Sequence, residues 1–441
     1  MCYNRVMSTY LVCSSPIHGH VMPMLTAAQH LVGRGHRVIM LTGSRFADRV
    51  TAVGAEFRPL GGIADFDDRD VATTLPDRDR YSGLAQAQYD IQTIFVKPIA
   101  DQYRAVQQIL VTDHPDALLV DGAFAGVAPI LLGGGSRPPI VALGVTPLAQ
   151  RSRDVAPAGT ALPPSSSPLG RIRNRVLDVV ATRVLFRRTQ VLARSIFAQL
   201  GIDPLPLFVM DLSTAFDRFL QLCPGAFEYP RSDLAPNTAF VGSMPQGGAS
   251  AAAPALPDWW DDLDGPRPVV HVTQGTIDNR DLDRLIRPTL AALAELDVLV
   301  VVSLGGLPPS TLSDVPANAR VASYLPYDDL LPRTSVFVTN GGYGGVQAAL
   351  SRGVPIVVAG GTEDKPEVAA RVAWSGTGID LRTGTPDPAA IRAAVQRVLA
   401  DASYRSTVQR MAADIATYDT LALIESELGS ARVPGSIARN G

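Results

Sequence analysis

The second half of the chain holds a run of residues suited to gripping a phosphorylated ligand. A strand pattern, Val336 to Thr339, leads into Asn340-Gly341-Gly342-Tyr343-Gly344-Gly345 and then into a helical pattern. Glycines there let the backbone approach closely with φ > 0, and the free N–H groups at a helix start face negative charge. The next strand pattern, Val354 to Ala359, ends at the acidic tip Glu363-Asp364-Lys365. An anion site at one strand end beside carboxylates at the next suits a ligand that is half diphosphate and half hydroxyls, as a nucleotide-sugar is. The glycine spacing is neither the dinucleotide G-x-G-x-x-G nor the P-loop.

The first half offers proton-transfer chemistry. Thr9 to Ser14 reads as a buried strand, followed by Pro16-Ile17-His18-Gly19-His20-Val21-Met22-Pro23. A helix pattern from about Met22 to Arg34 closes at Gly35, and His36 to Thr42 is the next strand, making one βαβ unit. Its first loop lies at the carboxyl end of a strand, where open α/β sheets place ligands. A neutral imidazole can take a proton from a hydroxyl near neutral pH. His18 and His20 both qualify, and either could instead cap the helix or pack on the surface. Pro115 to Gly122 is a buried-strand pattern ending in Asp121, a carboxylate able to orient an imidazole or to cap the helix that follows near Ala125. Asp116 opens that strand as a turn residue. A third strand, Val269 to Thr273, ends in Gln274-Gly275-Thr276 with Asp278 beyond it, and His271 within it reads as a core residue.

The block 321–380 resembles the donor-binding signature of the family 1 glycosyltransferases of GT-B fold, including bacterial macrolide and antibiotic enzymes and the plant UDP-glycosyltransferases. Plant members read Trp-Ala-Pro-Gln, then His-Cys-Gly-Trp-Asn-Ser-x-x-Glu, then Asp-Gln. By that resemblance Tyr324 stands where an aromatic stacks on the nucleobase, and Asn340 where a histidine meets the diphosphate. Gly341, Gly342, Gly344 and Gly345 form the turn and helix start. Ala348 replaces the ribose-binding glutamate, with Gln347 beside it as a substitute, and Asp364-Lys365 replaces the Asp-Gln that holds sugar hydroxyls. Gly275 and Thr276 correspond to the loop that approaches the diphosphate. The first-half segment is similar to the family's Gly-His-Val-Asn-Pro element with Met22 for asparagine; this favours His20 as the base and Asp121 as its orienting carboxylate.

Architecture and surroundings follow. The length of 441 residues with 46% hydrophobic and 18% charged residues favours two globular domains. The expected fold class is α/β, with GT-B architecture of two facing Rossmann-like parallel-sheet domains. The acceptor domain is expected at 1–243, a Pro/Gly/Ala-rich linker at 244–260, the donor domain at 261–425 and a tail at 426–441, with the last helix pattern, about 402–427, crossing back onto the acceptor domain. Trp259-Trp260 should pack on the donor domain. Residues 61–95 and 151–170 read as loops near the acceptor, and Phe95, Phe124 and Phe186 as core rather than as lining of an apolar cleft. A net charge of −3 argues against nucleic acid. Three cysteines without paired spacing suggest a reducing, cytoplasmic setting and no structural metal. No apolar run is long enough for a membrane span.

The resulting expectation is an inverting glycosyltransferase. It should move a hexose from a UDP- or dTDP-sugar to a hydroxyl of a lipophilic natural product, polyketide or phenol, with no metal and no cofactor beyond that co-substrate, and with homodimerisation left open. The altered Asn340, Ala348 and Lys365 motivate an alternative, a catalytically silent auxiliary protein that activates a partner enzyme. His20 and Asp121 oppose it. A nucleotide-sugar epimerase is a third reading, disfavoured because it needs no Gly-His-x-x-Pro element.

Overall fold

The computed structural model describes residues 7–245, 256–276, 279 and 281–431. Residues 246–255 of the expected linker, Asp278, and the tail from 432 onward lie outside the described residues. The first sheet contains β1 (Thr9–Cys13), β2 (Arg37–Thr42), β3 (Glu56–Pro59), β4 (Ala117–Asp121), β5 (Ile140–Gly144), β6 (Arg218–Gln221) and β7 (Thr238–Phe240). The second contains β8 (Val269–Thr273), β9 (Leu299–Ser303), β10 (Ala319–Ala322), β11 (Thr334–Thr339), β12 (Ile356–Val358) and β13 (Gly378–Asp380). Their spatial orders are β3-β2-β1-β4-β5-β6-β7 and β10-β9-β8-β11-β12-β13, and every strand pairing among the described residues is parallel. The central strands are mostly apolar, and β4, β5, β8 and β9 are buried in every residue. That is the pattern of sheets covered by helices on both faces.

In each sheet the chain moves outward through three strands, returns to the centre, and moves the other way. The reversal lies between β1 and β4 in one sheet and between β8 and β11 in the other. Such switch points open a crevice at the strands' carboxyl ends. The register sets what meets there: Cys13 pairs with Val120, bringing Ser14 level with Asp121. Thr273 pairs with Thr339, bringing Gln274 level with Asn340.

Several elements depart from the sequence reading. The first helix spans His18–Gly33, with Pro23 inside it, so it starts four residues before the expected Met22 and His20 sits in its first turn. Pro23 lacks the N–H that Gly19 O would accept, a loss a helix tolerates near its start. Gly35, at φ +90, ends it as expected. Residues 83–91 are helical and continue as a wide turn to Val96, rather than forming loop; alternating Ala and Gln give this helix little apolar contrast. The pattern over 402–427 breaks into helices Ala402–Ile415 and Thr420–Ser430, the second capped by Asp419. That second helix buries Ile424 and Leu428 in the core between the first sheet and helix His18–Gly33. Trp260 packs against Val269, Leu299 and Leu330 of the second domain.

Candidate active site

At the first switch point, His20 Nδ1 lies 3.0 Å from Asp121 Oδ1, joining residues 101 positions apart. Asp121 is fully buried, and backbone geometry holds it. Its Oδ2 accepts from Ser15 N at 2.7 Å and Ser14 Oγ at 3.3 Å, while Oδ1 also accepts from Ala123 N at 2.8 Å. Burial opposes its charge, yet the His20 imidazole and these donors outweigh burial and hold its pKa below the ordinary carboxylate value. For His20 burial pulls the pKa down, but Asp121, Asp364 and Glu363 together pull it above 6.5. With Nδ1 donating to Asp121, Nε2 of the neutral ring is an acceptor.

His18, two residues away, differs. Burial and the nearby Arg49 and Arg45 lower its pKa to about 4, and its backbone N–H rather than its ring contacts a carboxylate, Asp68, at 2.7 Å. His271 is fully buried, bonds Val301 O through Nδ1 at 2.9 Å, and has its pKa lowered by burial to about 4. It is a core residue, as expected.

At the second switch point, two turns stand side by side. Gly275 (φ +78) and Gly341 (φ +90) occupy the left-handed region. Their N–H groups donate to Thr273 Oγ1 at 3.1 Å and Thr339 Oγ1 at 3.2 Å. Asn340 Nδ2 donates to Gln274 O at 2.7 Å, tying one turn to the other, so one of its amide hydrogens serves the loops rather than a ligand. The helix Tyr343–Ser351 starts here, without a side-chain cap. Gly344 in its first turn is exposed with open space around it, and Thr276 is exposed beside Gly275. Tyr324 is 52% exposed, its hydroxyl end against Gly306.

Other expected donor residues have partners that sequence did not indicate. Gln347 is buried, and its Oε1 accepts from Ser243 Oγ at 2.9 Å, whereas its Nε2 has no hydrogen-bond partner among the described residues. Lys365 is buried with its ammonium on Glu363, a residue at φ +58. Asp364 is half-buried; burial and Glu363 raise its pKa, and its charge reaches His20 from the opposite domain.

Phe95, read as core, instead lies 5.9 Å from His20, ring centre to ring centre. Phe124 is core, and Phe186 meets Phe208 at 6.5 Å. An interdomain clamp also escaped the sequence reading. Arg371, fully buried, donates through Nε and Nη2 to Glu228 at 2.7–2.9 Å and through Nη1 to Glu367 at 2.8 Å. Glu367 in turn accepts from the N–H groups of Gly159 and Ala161 at 2.8 Å, fixing the loop expected to be irregular. Gln221 Nε2 donates to Tyr343 Oη at 2.8 Å, a second contact between the sheets.

This arrangement places an imidazole–carboxylate pair across a cleft from a glycine-lined helix start and an acidic tip. The chain as a whole is similar to known proteins. Residues 287–427 match the C-terminal domain of erythromycin biosynthesis protein CIII-like proteins. A 4'-demethylrebeccamycin synthase from Lentzea aerocolonigenes is 39% identical over 401 residues, covering 90% of this chain and 92% of that protein. UDP-glucosyltransferase B1 from Starmerella bombicola is 35% identical over 432 residues, covering 95% and 97%. The calicheamicin glycosyltransferase CalG4, at 24% identity, has the same fold, with a TM-score of 0.72 over 98% of this chain and 99% of that one. The chain belongs to the family 1 glycosyltransferases of GT-B fold.

Proposed function

We propose that this enzyme transfers a hexose from a UDP- or dTDP-sugar to a hydroxyl of a lipophilic small molecule, with inversion at the anomeric carbon. The observation that carries this reading is the His20–Asp121 pair, 3.0 Å long and facing Asp364 across the cleft. His20 Nε2 takes the proton of the acceptor hydroxyl as its oxygen bonds to the anomeric carbon. The carbon–oxygen bond to the diphosphate breaks on the opposite face, and its electron pair leaves on the phosphate oxygen. Asp121 stabilises the imidazolium that forms. The N–H groups at the start of helix Tyr343–Ser351 and the turn at Gly275 and Thr276 meet the charge developing on the diphosphate. Asp364 is assigned to the sugar hydroxyls, Tyr324 to the base, and the unpartnered amide of Gln347 to the ribose. The natural-product and UDP-sugar names of the relatives support this substrate class.

Two measurements test the proposal. Thermal unfolding with UDP, dTDP and GDP should show a raised midpoint for UDP or dTDP, since a ligand binding only the native state adds about 2.7 kcal/mol at a hundredfold excess over Kd. No shift with any of them would favour the auxiliary-protein reading. Product analysis should give a β-linkage from an α-linked donor; an α-linked product would sink the single-displacement mechanism.

A further inference from the structure

Residues 168–199 form a nearly continuous helical rod, Pro168–Val180 and Arg187–Gln199 joined by a wide turn at Ala181–Leu185. Its first half inverts the usual polarity. A surface helix ordinarily turns apolar residues inward, yet Pro168–Val180 buries only Gly170 and Asn174, and Arg187–Gln199 buries Thr189 and Gln190 beside the apolar Ala193 and Phe197. Leu169, Ile172, Val176, Val180, Val184 and Val191 are exposed, Leu169 at 80% and Val184 at 66%. Steps of three, four, four, four and seven residues keep these six near one stripe of the rod. An exposed apolar stripe is the informative exception to ordinary burial.

The charge beside the stripe is equally one-sided. The rod holds seven arginines against the single acid Asp178, in a chain whose net charge is −3. Arg171 pairs with Asp154 at 2.8 Å, and Arg173 bonds Asn174 and Pro163 O. Arg175, Arg183, Arg187, Arg188 and Arg194 are exposed and make no ion pair among the described residues. Long cationic side chains flanking an apolar stripe suit a helix lying in an interface, with aliphatic residues in the acyl boundary and guanidinium groups at headgroup phosphates.

We propose that this rod docks the enzyme on an anionic lipid surface. A second copy of the chain fits less well, because a two-fold dimer lays a patch on itself and would bring two sets of unpaired arginines together. Nucleic acid would meet the arginines but leave the apolar stripe in water. The location gives docking a use. Gln88 and Gln92 of the helical segment 83–96 donate to Leu185 O at 2.8 Å and Thr189 Oγ1 at 2.9 Å. The same segment carries Phe95 beside His20. The bilayer-facing rod is therefore one element from the candidate catalytic histidine, and an acceptor dissolved in lipid would approach from that side.

The test is cosedimentation of the full chain with vesicles of phosphatidylglycerol and phosphatidylcholine in equal amounts, against pure phosphatidylcholine. Binding is expected to the anionic vesicles and to weaken as ionic strength rises. Arginines near an anionic surface contribute about fivefold each, so Arg183→Glu/Arg187→Glu/Arg188→Glu should lower partitioning by on the order of a hundredfold. Ile172→Glu/Val176→Glu should abolish it, with circular dichroism and the nucleotide-induced thermal shift unchanged. Equal binding to both vesicle types, binding to neither, or retention by the charge-reversed variant would overturn the proposal. So would a dimer in sedimentation velocity that Ile172→Glu/Val176→Glu dissolves while vesicle binding stays absent, which would make this face a contact between copies.

Discussion

Asparagine at position 121 keeps the side chain's shape and removes its charge. Asp121 accepts hydrogen bonds on both oxygens, from His20 Nδ1 and Ala123 N on Oδ1 and from Ser15 N and Ser14 Oγ on Oδ2. An amide offers one accepting oxygen and one donating nitrogen. Either orientation therefore sets an NH2 against a buried backbone N–H, costing ~1–3 kcal/mol of stability. The chemical loss is larger. Without the carboxylate the imidazolium forming in the transition state has no counter-charge, and the rate should fall by ~10²–10⁴.

The pH profile separates chemistry from simple loosening. His20 must be neutral to act as base, and its pKa is raised above 6.5 because Asp121, Asp364 and Glu363 outweigh burial. In the parent enzyme kcat/KM should rise with pH through a limb above the ordinary histidine value. Removing Asp121 leaves burial dominant, so the limb should move to lower pH while the plateau drops. Stability changes in another window. Asp121 has a depressed pKa, so its contribution is full above the ordinary carboxyl value and is lost as pH falls through the depressed one; the variant should lack that acid-sensitive part. The assay is initial-rate kinetics across the pH range, repeated in a His20→Ala background. Residues acting as one unit are non-additive, so Asp121→Asn should cost less than about threefold there. A single variant within about tenfold of the parent rate, with its limb unmoved, would refute the pairing as a catalytic device.

Arg371→Met removes the guanidinium shared by Glu228 and Glu367, leaving Glu228 with Arg231 as its remaining cation and Glu367 with backbone N–H groups only, which should destabilise the protein by ~3–5 kcal/mol in urea unfolding; Glu228→Gln added to it should restore part of the loss. Gly341→Ala puts a Cβ 3.0 Å from Val358 Cγ2 and 3.3 Å from Lys365 O at φ +90, straining the backbone by ~1–2 kcal/mol; calorimetry should find weaker UDP or dTDP binding. Glu363→Gln removes one of the smaller contributions raising the His20 pKa, so the limb of kcat/KM should shift to lower pH by less than in Asp121→Asn. An unchanged or upward shift would disprove the cross-cleft coupling.

What sequence made legible follows physical range. His20 and Asp121 were accessible because each ends or follows a short, wholly apolar strand, and parallel topology leaves few ways to order such strands. The register between β1 and β4 then does the rest, since Ser14 and Asp121 arrive level. Gly275 and Gly341 were readable because the left-handed conformation selects glycine. Phe95 was not, because its segment alternates Ala and Gln at 85–88 and lacks an apolar face to mark a helix. Nor were the partners of Gln347 and Lys365, since hydrogen bonds to Ser243 and Glu363 depend on side-chain direction rather than on pattern. Glu228 and Arg371 lie 143 residues apart, and no local period marks a long-range ion pair.

That ion pair bears on the site more directly than its distance suggests. Helix Lys365–Trp374 begins at Asp364, its N-cap residue, and contains Arg371 two turns later. Any slide of this helix relative to Glu228 must also move Asp364 relative to His20. Helix Tyr343–Ser351 is fixed in the same manner: Tyr343 is held by Gln221 at the end of β6, and Gln347 by Ser243 just beyond β7. Both helices whose starts are proposed to hold the donor are thus fastened to the carboxyl-end region of the first sheet, near the His20–Asp121 pair. Buried charges are a costly way to gain stability, because desolvation offsets most of their attraction. Their value here lies in geometry, since a misplacement of ~1 Å between reacting groups can cost ~10² in rate. Under the proposed mechanism, the clamp sets the distance between an acceptor oxygen at His20 and a sugar at Asp364, a distance neither domain could fix alone.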